Sequence, residues 1–302
     1  MAKESFITYE SFTGINNIKN AWELAPGELL EAQNVDINEA SRIVRKTGYE
    51  KKINGVFHSL YGDSHICLGV QDNNTLVRIH RDLNTVQTLR TGIGGNTMSY
   101  TPVNDIVIYS NGDVIGFVRD GVSDTFDDPT EEFKLPLPAG NLLEYYNGRL
   151  YIIIGRVFFW SDVLSYKTGY LDKRENGKSM SSNIMLFKAV DNGVFISDEN
   201  KIYFASGLDA KEWNQPGGLR EVLDYPVKYN AWCEVQGFSI GGTALIGKTY
   251  AIATEKGVCV ISNGGFIKNI TEDYYKMLKG QNMVMLFKER NNLNQVITAV
   301  TN

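Results

Sequence analysis

Cysteine and histidine are scarce in this 302-residue chain, with three of each, and neither is spaced for chemistry. Cys67, Cys233 and Cys259 form no CxxC pair, and an odd number does not close a disulfide framework. Cys67 and Cys259 lie in apolar, strand-like runs, where a thiol acts as a small buried hydrophobe. A reducing compartment follows. His58, His65 and His80 lack the HExxH pattern or any other zinc spacing. The GxSxG nucleophile turn is missing. Gly92-Ile93-Gly94-Gly95 starts like a phosphate loop but lacks the later Gly and the Lys-Ser/Thr, so it reads as a connector. No cofactor, metal or catalytic residue is expected, and the chain does not read as an enzyme.

Long apolar runs and basic runs are lacking too. Nothing approaches the roughly 18 apolar residues of a membrane span. The opening MAKESFITYESFTG has no apolar core of a signal peptide, so export by lysis or within a particle is expected over secretion. The net charge is −5, and the densest basic stretch, Arg42 to Lys52, is interleaved with apolar and acidic residues. That stretch reads as a solvated strand edge, not as a phosphate-gripping surface. With 7 prolines and no Pro-, Ser- or Gln-rich tract, a long disordered linker is excluded. The acidic run Asp124, Asp127, Asp128, Glu131 and Glu132 admits Ca²⁺ ligation or acid–base work on a sugar. It lacks the DxDxDG order of a calcium loop, and a solvated loop is the plainer reading.

What is present is a repeat. The 43% hydrophobic content suffices for a packed core, and 29 scattered glycines punctuate short apolar runs. Around Asn141 the chain reads NLLEYYNGRLYIIIGRVFFWSDVLSYKTGYLD: strand, Gly turn, strand, Gly turn, strand, polar loop. Related units start near His58, Thr97, Ile184 and Phe238, about 40 to 54 residues apart, the spacing of four-stranded propeller blades. Asn111-Gly112 and Asn147-Gly148 mark hairpin turns. The predicted fold is all-β: a propeller of about six blades (five to seven), closed by N- and C-terminal strands. Residues 1–20 read as an extended arm, and 21–302 as one propeller domain with loop insertions at 166–183 and 208–219. After Pro26-Gly27, the stretch GELLEAQNV reads as a short helix. Thr271–Leu278 reads as one or two helical turns.

In a repeat scaffold, function lies in loops, rims and assembly contacts. Trp213 and Trp232, in a loop-rich region, are candidates for a sugar-stacking or protein-binding surface, with core packing as the alternative.

Two stretches carry a resemblance. FTGINN, followed by LAPGELLEAQNVDINEASRIVRKTGYE, resembles the opening of tailed-phage virion proteins through Gly14-Ile15-Asn16-Asn17, Gly27-Glu28, Asn34-Val35-Asp36-Ile37 and Arg42 to Tyr49. Ser41 stands where a small turn Gly is expected, and Lys46 replaces one basic residue. NGRLYIIIGRVFFWS resembles a blade of the same proteins through Asn147, Gly148, Arg149, Leu150, Tyr151, Gly155, Trp160 and Ser161. The resemblance is to β-propeller tail nozzle, hub or tubular components, and it brings no catalytic residues. It implies a virion tail protein made in the host cytoplasm. Its implied partners are other phage tail proteins and its own copies in a homo-oligomeric ring. DNA would pass nearby without sequence-specific binding, repelled by an acidic bore. Assembly contacts are then expected in the arm, at Phe6, Tyr9, Phe12, Ile15, Asn16 and Asn17, and in the two loop insertions. A receptor- or glycan-binding propeller at the tail tip is the alternative, and a propeller glycosidase or lyase a more remote one.

Overall fold

The computed structural model describes residues 11–38, 40–46, 48, 50–82, 85–126, 134–164, 166, 168–169, 176–237, 239–240, 242–275, 282–290 and 293–301. They form an all-β structure with five four-stranded sheets in chain order. Sheet I comprises Phe57–Gly62, Cys67–Gln71, Thr75–Ile79 and Val86–Arg90. Sheet II comprises Ser99–Val103, Ile106–Ser110, Ile115–Arg119 and Val122–Asp124. Sheet III comprises Leu142–Tyr146, Arg149–Ile154, Val157–Trp160 and Gly177–Ser179. Sheet IV comprises Ile184–Val190, Gly193–Asp198, Ile202–Ser206 and Leu219–Leu223. Sheet V comprises Val227–Glu234, Tyr250–Thr254, Gly257–Ser262 and Phe266–Asn269. The chain groups into two compact units, one of residues 51–230 with 263–265 and the other of 1–50, 231–262 and 266–302.

In the 51–230 unit the sheets are antiparallel meanders whose inner strands are buried on both faces. Ile106–Ser110 is buried along its whole length. Side chains alternate across a strand, so one strand serves two cores. Val107 and Tyr109 enter a cluster with Leu68, Val70 and Leu76 of sheet I. Ile106 and Ile108 enter a different cluster with Leu143, Leu150 and Ile152 of sheet III. Sheet III divides the same way, sending Tyr151 and Ile153 into a third cluster with Phe187, Val194 and Ile196 of sheet IV. Burial on both sides is why these strands read as continuous apolar runs rather than as alternation. Sheets I to IV therefore pack face to face in succession.

Turn chemistry sets the hairpins. Asn147 and Gly148 have φ of 45° and 76°, and Asp120 and Gly121 have 49° and 78°. Positive φ at both central residues is the type I′ turn whose twist suits flanking strands.

Hydroxyls bolt successive sheets together. Ser110 Oγ accepts from Gly140 N at 2.9 Å, and Ser197 Oγ accepts from Val227 N at 3.0 Å. Each serine stands 30 residues before the N–H it receives, at the entry to a later sheet. Each also donates to the carbonyl four residues on, Val114 and Lys201. The next residue, Asn111 or Asp198, accepts two backbone N–H groups of the turn through Oδ1. Ser59, at φ 52° beside a break in strand register, accepts from Met98 N, and Ser99 accepts from Leu143 N.

Several expectations are corrected. The described residues contain no α-helix. After Pro26-Gly27 the chain forms Glu28–Leu29, paired parallel with Gly14–Ile15, and then Val35–Ile37, paired with Ile43–Arg45. Gly27, at φ 91°, is buried under Ser11 and cannot start a helix. Of the stretch Thr271–Leu278, expected as one or two helical turns, residues 271–275 form one turn, with Tyr274 N and Tyr275 N donating to Thr271 O, and 276–278 lie outside the described residues. The fifth unit starts at Val227–Glu234, not near Phe238, and Ser239–Ile240 with Thr243–Ala244 is a side hairpin. Lys228 and Asn230 interrupt that first strand and disguise its alternating burial. The 166–183 insertion supplies the last strand of sheet III, Gly177–Ser179. At the C-terminus, Asn282–Arg290 and Leu293–Thr301 form a two-stranded sheet.

Candidate functional site

The first strands of sheets II, III and IV lie beside one another, although each belongs to a separate ladder. This row carries buried polar groups. Thr101, Glu144 and Lys188 are all under a tenth exposed. Lys188 Nζ lies 2.5 Å from Glu144 Oε2, an ion pair between sheets III and IV. Two charges taken out of water cost several kcal/mol, about what their attraction returns, so the pair adds little net stability. It does specify which first strand sits beside which, because either charge alone would be stranded.

Beside it lies an aromatic core. Trp213 stacks on Tyr151 at 5.5 Å and packs against Tyr146, Phe158 and Phe187. It is 1% exposed. Burial raises the Tyr146 hydroxyl to about 12, with Glu212 and Asp191 adding to the rise. Trp213 is therefore not a surface contact. Its loop is drawn inward by apolar burial and held by hydrogen bonds from Lys178 Nζ to Trp213 O, Tyr146 OH to Gly207 O and Asn147 Nδ2 to Leu208 O. The 208–219 insertion is largely consumed in joining sheets III and IV. Trp232 is half-buried and meets Tyr250 edge to face at 5.6 Å.

The N-terminal candidates are also engaged internally. Phe6 and Tyr9 lie outside the described residues, as do Asp127, Asp128, Glu131 and Glu132. Phe12 N donates to Ser41 O, and Ile15 pairs with Leu29. Asn16 is buried; its Nδ2 donates to Glu28 Oε1, and its Oδ1 accepts from Ile18 N and Lys19 N. Asn17 N donates to Tyr274 O. Glu28 is the centre of this clasp. The Ala25 N–H, then Asn16 and Lys19, bring its carboxyl pKa down to about 2. Residues 11–20 are thus folded onto 25–29, not extended.

The surface that sequence reading passed over is the one this clasp displays. Trp22 is 82% exposed and Ile18 49%. Asn17 ties the Thr271–Tyr275 turn to the same segment, and Tyr274 and Tyr275 are exposed too. The available signal was a lone Trp amid Lys19, Asn20 and Glu23, with no apolar period to draw it inward. Among the described residues, no cluster of three or more His, Cys, Asp or Glu is placed to hold a metal ion. No helix among the described residues is long and apolar enough to cross a membrane. A depression open to solvent is lined by Asn34, Arg45, Lys46 and Gly48.

No family model matches the chain. No curated protein matches it either. Similar solved structures include the WD40 β-propeller domain of Doa1, at 13% identity and a TM-score of 0.41, covering 82% of this chain and 83% of that one. The computationally designed Ika8 protein shares 12% identity at a TM-score of 0.44, over 82% of this chain and 68% of that one. The extracellular domain of the one component system BT4673 from B. thetaiotaomicron shares 12% identity at a TM-score of 0.49, over 82% of this chain but 31% of that one.

Proposed function

We propose that the chain is a structural component of a bacteriophage tail: a propeller of about six blades that assembles with its own copies and other tail proteins around the DNA channel. Five four-stranded sheets and the terminal hairpins would supply the blades. The observation that carries a scaffold role is that polar side chains between sheets are spent on joining one sheet to the next. Ser59, Ser99, Ser110 and Ser197 receive N–H groups from later segments, and Glu144 meets Lys188. The phage assignment itself rests on the resemblance at Gly14–Asn17, Asn34–Ile37 and Asn147–Tyr151. A net charge of −5 suits a surface that DNA passes without adhering.

The glycan-binding alternative loses its principal residue, because Trp213 is sealed in an aromatic core. Assembly contacts are better sought at Ile18 and Trp22 than at Asn16. Tryptophan is among the residues most often found as anchors of protein interfaces.

The test is immunogold electron microscopy of particles from the source culture, together with detection of the chain in denatured virions. Gold at the tail is expected. Absence of the chain from denatured particles would overturn the tail assignment and leave only the scaffold.

A further inference from the structure

Among the described residues, the C-terminal hairpin presents an open edge. Asn282–Arg290 and Leu293–Thr301 make an unbroken ladder of nine pairs with no register shift. One face of the hairpin packs Met283, Met285, Phe287 and Val296 onto a core cluster. The other shows Val284 and Leu286, 55% and 60% exposed. Strand Asn282–Arg290 lies against Tyr250–Thr254 and ends in Lys288-Glu289-Arg290. Among the described residues neither strand has a second hydrogen-bonded strand beside it, but only Leu293–Thr301 is free of charged residues.

Sheets ordinarily protect such an edge with a lysine, a proline, a bulge or a short strand. Leu293–Thr301 reads LNQVITAVT: no charge, no proline, no glycine. Its outward backbone groups, without a ladder partner among the described residues, suit another extended strand as occupant. We propose that this occupant is the same strand of a second copy, antiparallel and centred on Ile297.

Charge selects a self-pairing. A two-fold axis through Ile297 sets that residue against its own copy, where a charge would be destabilising, and no other position of the strand brings a charge to the seam. Register agrees. Pairing about Ile297 sets Val296 opposite Thr298 of the second copy and Ile297 opposite its own counterpart. Core-facing side chains then continue onto the same face of the neighbour, because residues whose numbers sum to an even total share a face. The product has four strands, the size of the five full sheets. The short hairpin Val35–Ile37 with Ile43–Arg45 has three-residue strands and cannot cover a nine-residue edge. This pairing does not depend on a role in a tail, and its two-fold contact is a different interface from the head-to-tail contacts of a ring of more than two copies.

Sedimentation velocity on the full chain tests it. The wild type should form a dimer at micromolar concentration. Ile297→Lys should weaken self-association at least tenfold, with circular dichroism unchanged, by facing two ammonium groups across the axis. Mixing Ile297→Lys with Ile297→Glu should restore the dimer. Ile297→Cys should give a disulfide-linked dimer on mild oxidation, whereas the wild type, with Cys67, Cys233 and Cys259, should not. A wild type that is monomeric throughout, or an oligomer whose mass Ile297→Lys leaves intact, overturns the proposal. Should Ile297→Lys not fold, failure of Ile297→Cys to cross-link does the same.

Discussion

Two tryptophans mark the contrast between the two units. In the 51–230 unit, Trp213 sits in a short 3-10 turn of a polar loop, yet it is 1% exposed. In the other unit, Trp22 has comparably polar neighbours and is 82% exposed. The 51–230 unit stacks sheet on sheet, so its loops find an apolar surface to bury against. The N-terminal segment forms two-stranded sheets of two or three residues a strand, which cannot make a face of their own. Burial is decided by what the surrounding sheets offer, not by the polarity of the flanking sequence.

The widest separation is expected from those residues. Trp213→Ala should cost about 3–5 kcal/mol, through lost contacts and the cavity left behind. Trp22→Ala should stay within about 0.5 kcal/mol. Urea denaturation of both variants checks the contrast, and equal midpoints would erase it.

The buried ion pair tests whether the stacked unit tolerates charge only in pairs. Lys188→Met should destabilise by about 3 kcal/mol or more, because Glu144 is stranded, while the double variant Glu144→Leu with Lys188→Met should recover most of that loss. A double variant no more stable than Lys188→Met alone would show that the two charges are not coupled.

Smaller effects should come from the hydroxyl bolts. Ser110→Ala and Ser197→Ala should each cost about 1–3 kcal/mol, by leaving the buried Gly140 or Val227 N–H without its acceptor. Thermal melts should rank the two alike, since they occupy equivalent places. A large difference would mean the two turns are not repeats of one module.

The mildest prediction concerns the other unit and pH. Glu28 has a folded pKa near 2, below its ordinary 4.5. Its contribution is therefore complete above about 4.5 and is lost as pH falls from there towards about 2. Trp22 lies within the clasped segment, so acid titration of tryptophan emission should show a transition in that window. Glu28→Gln should remove it.

Most of the stacked unit was legible because burial on both faces turns a strand into an apolar run, and Gly or Asx turns separate the runs. IVIYS, RLYIII and GVFISD each announce a strand in this way, and each is one. Val227–Glu234 was missed because it alternates with Lys228 and Asn230 and carries no such run. Gly177–Ser179 was missed because a three-residue strand of Gly, Lys and Ser has no local signal and exists only by pairing with Val157–Phe159. The candidate site was read less well. Asn16, expected as an assembly contact, is instead buried, because Glu28, 12 residues on, takes up its amide.

The sequence by itself determined the all-β class, the near-regular spacing of the units and most of the hairpin turns, because those follow from local patterns of apolar residues, glycine and asparagine. Tertiary structure alone decided which polar groups are internal and which aromatic residues remain outside. Ser110 and Gly140, Glu144 and Lys188, and Trp213 and Tyr151 are far apart in sequence and meet only when one sheet packs on the next. Burial depends on the surface a neighbour presents, and no local pattern in the chain encodes that surface.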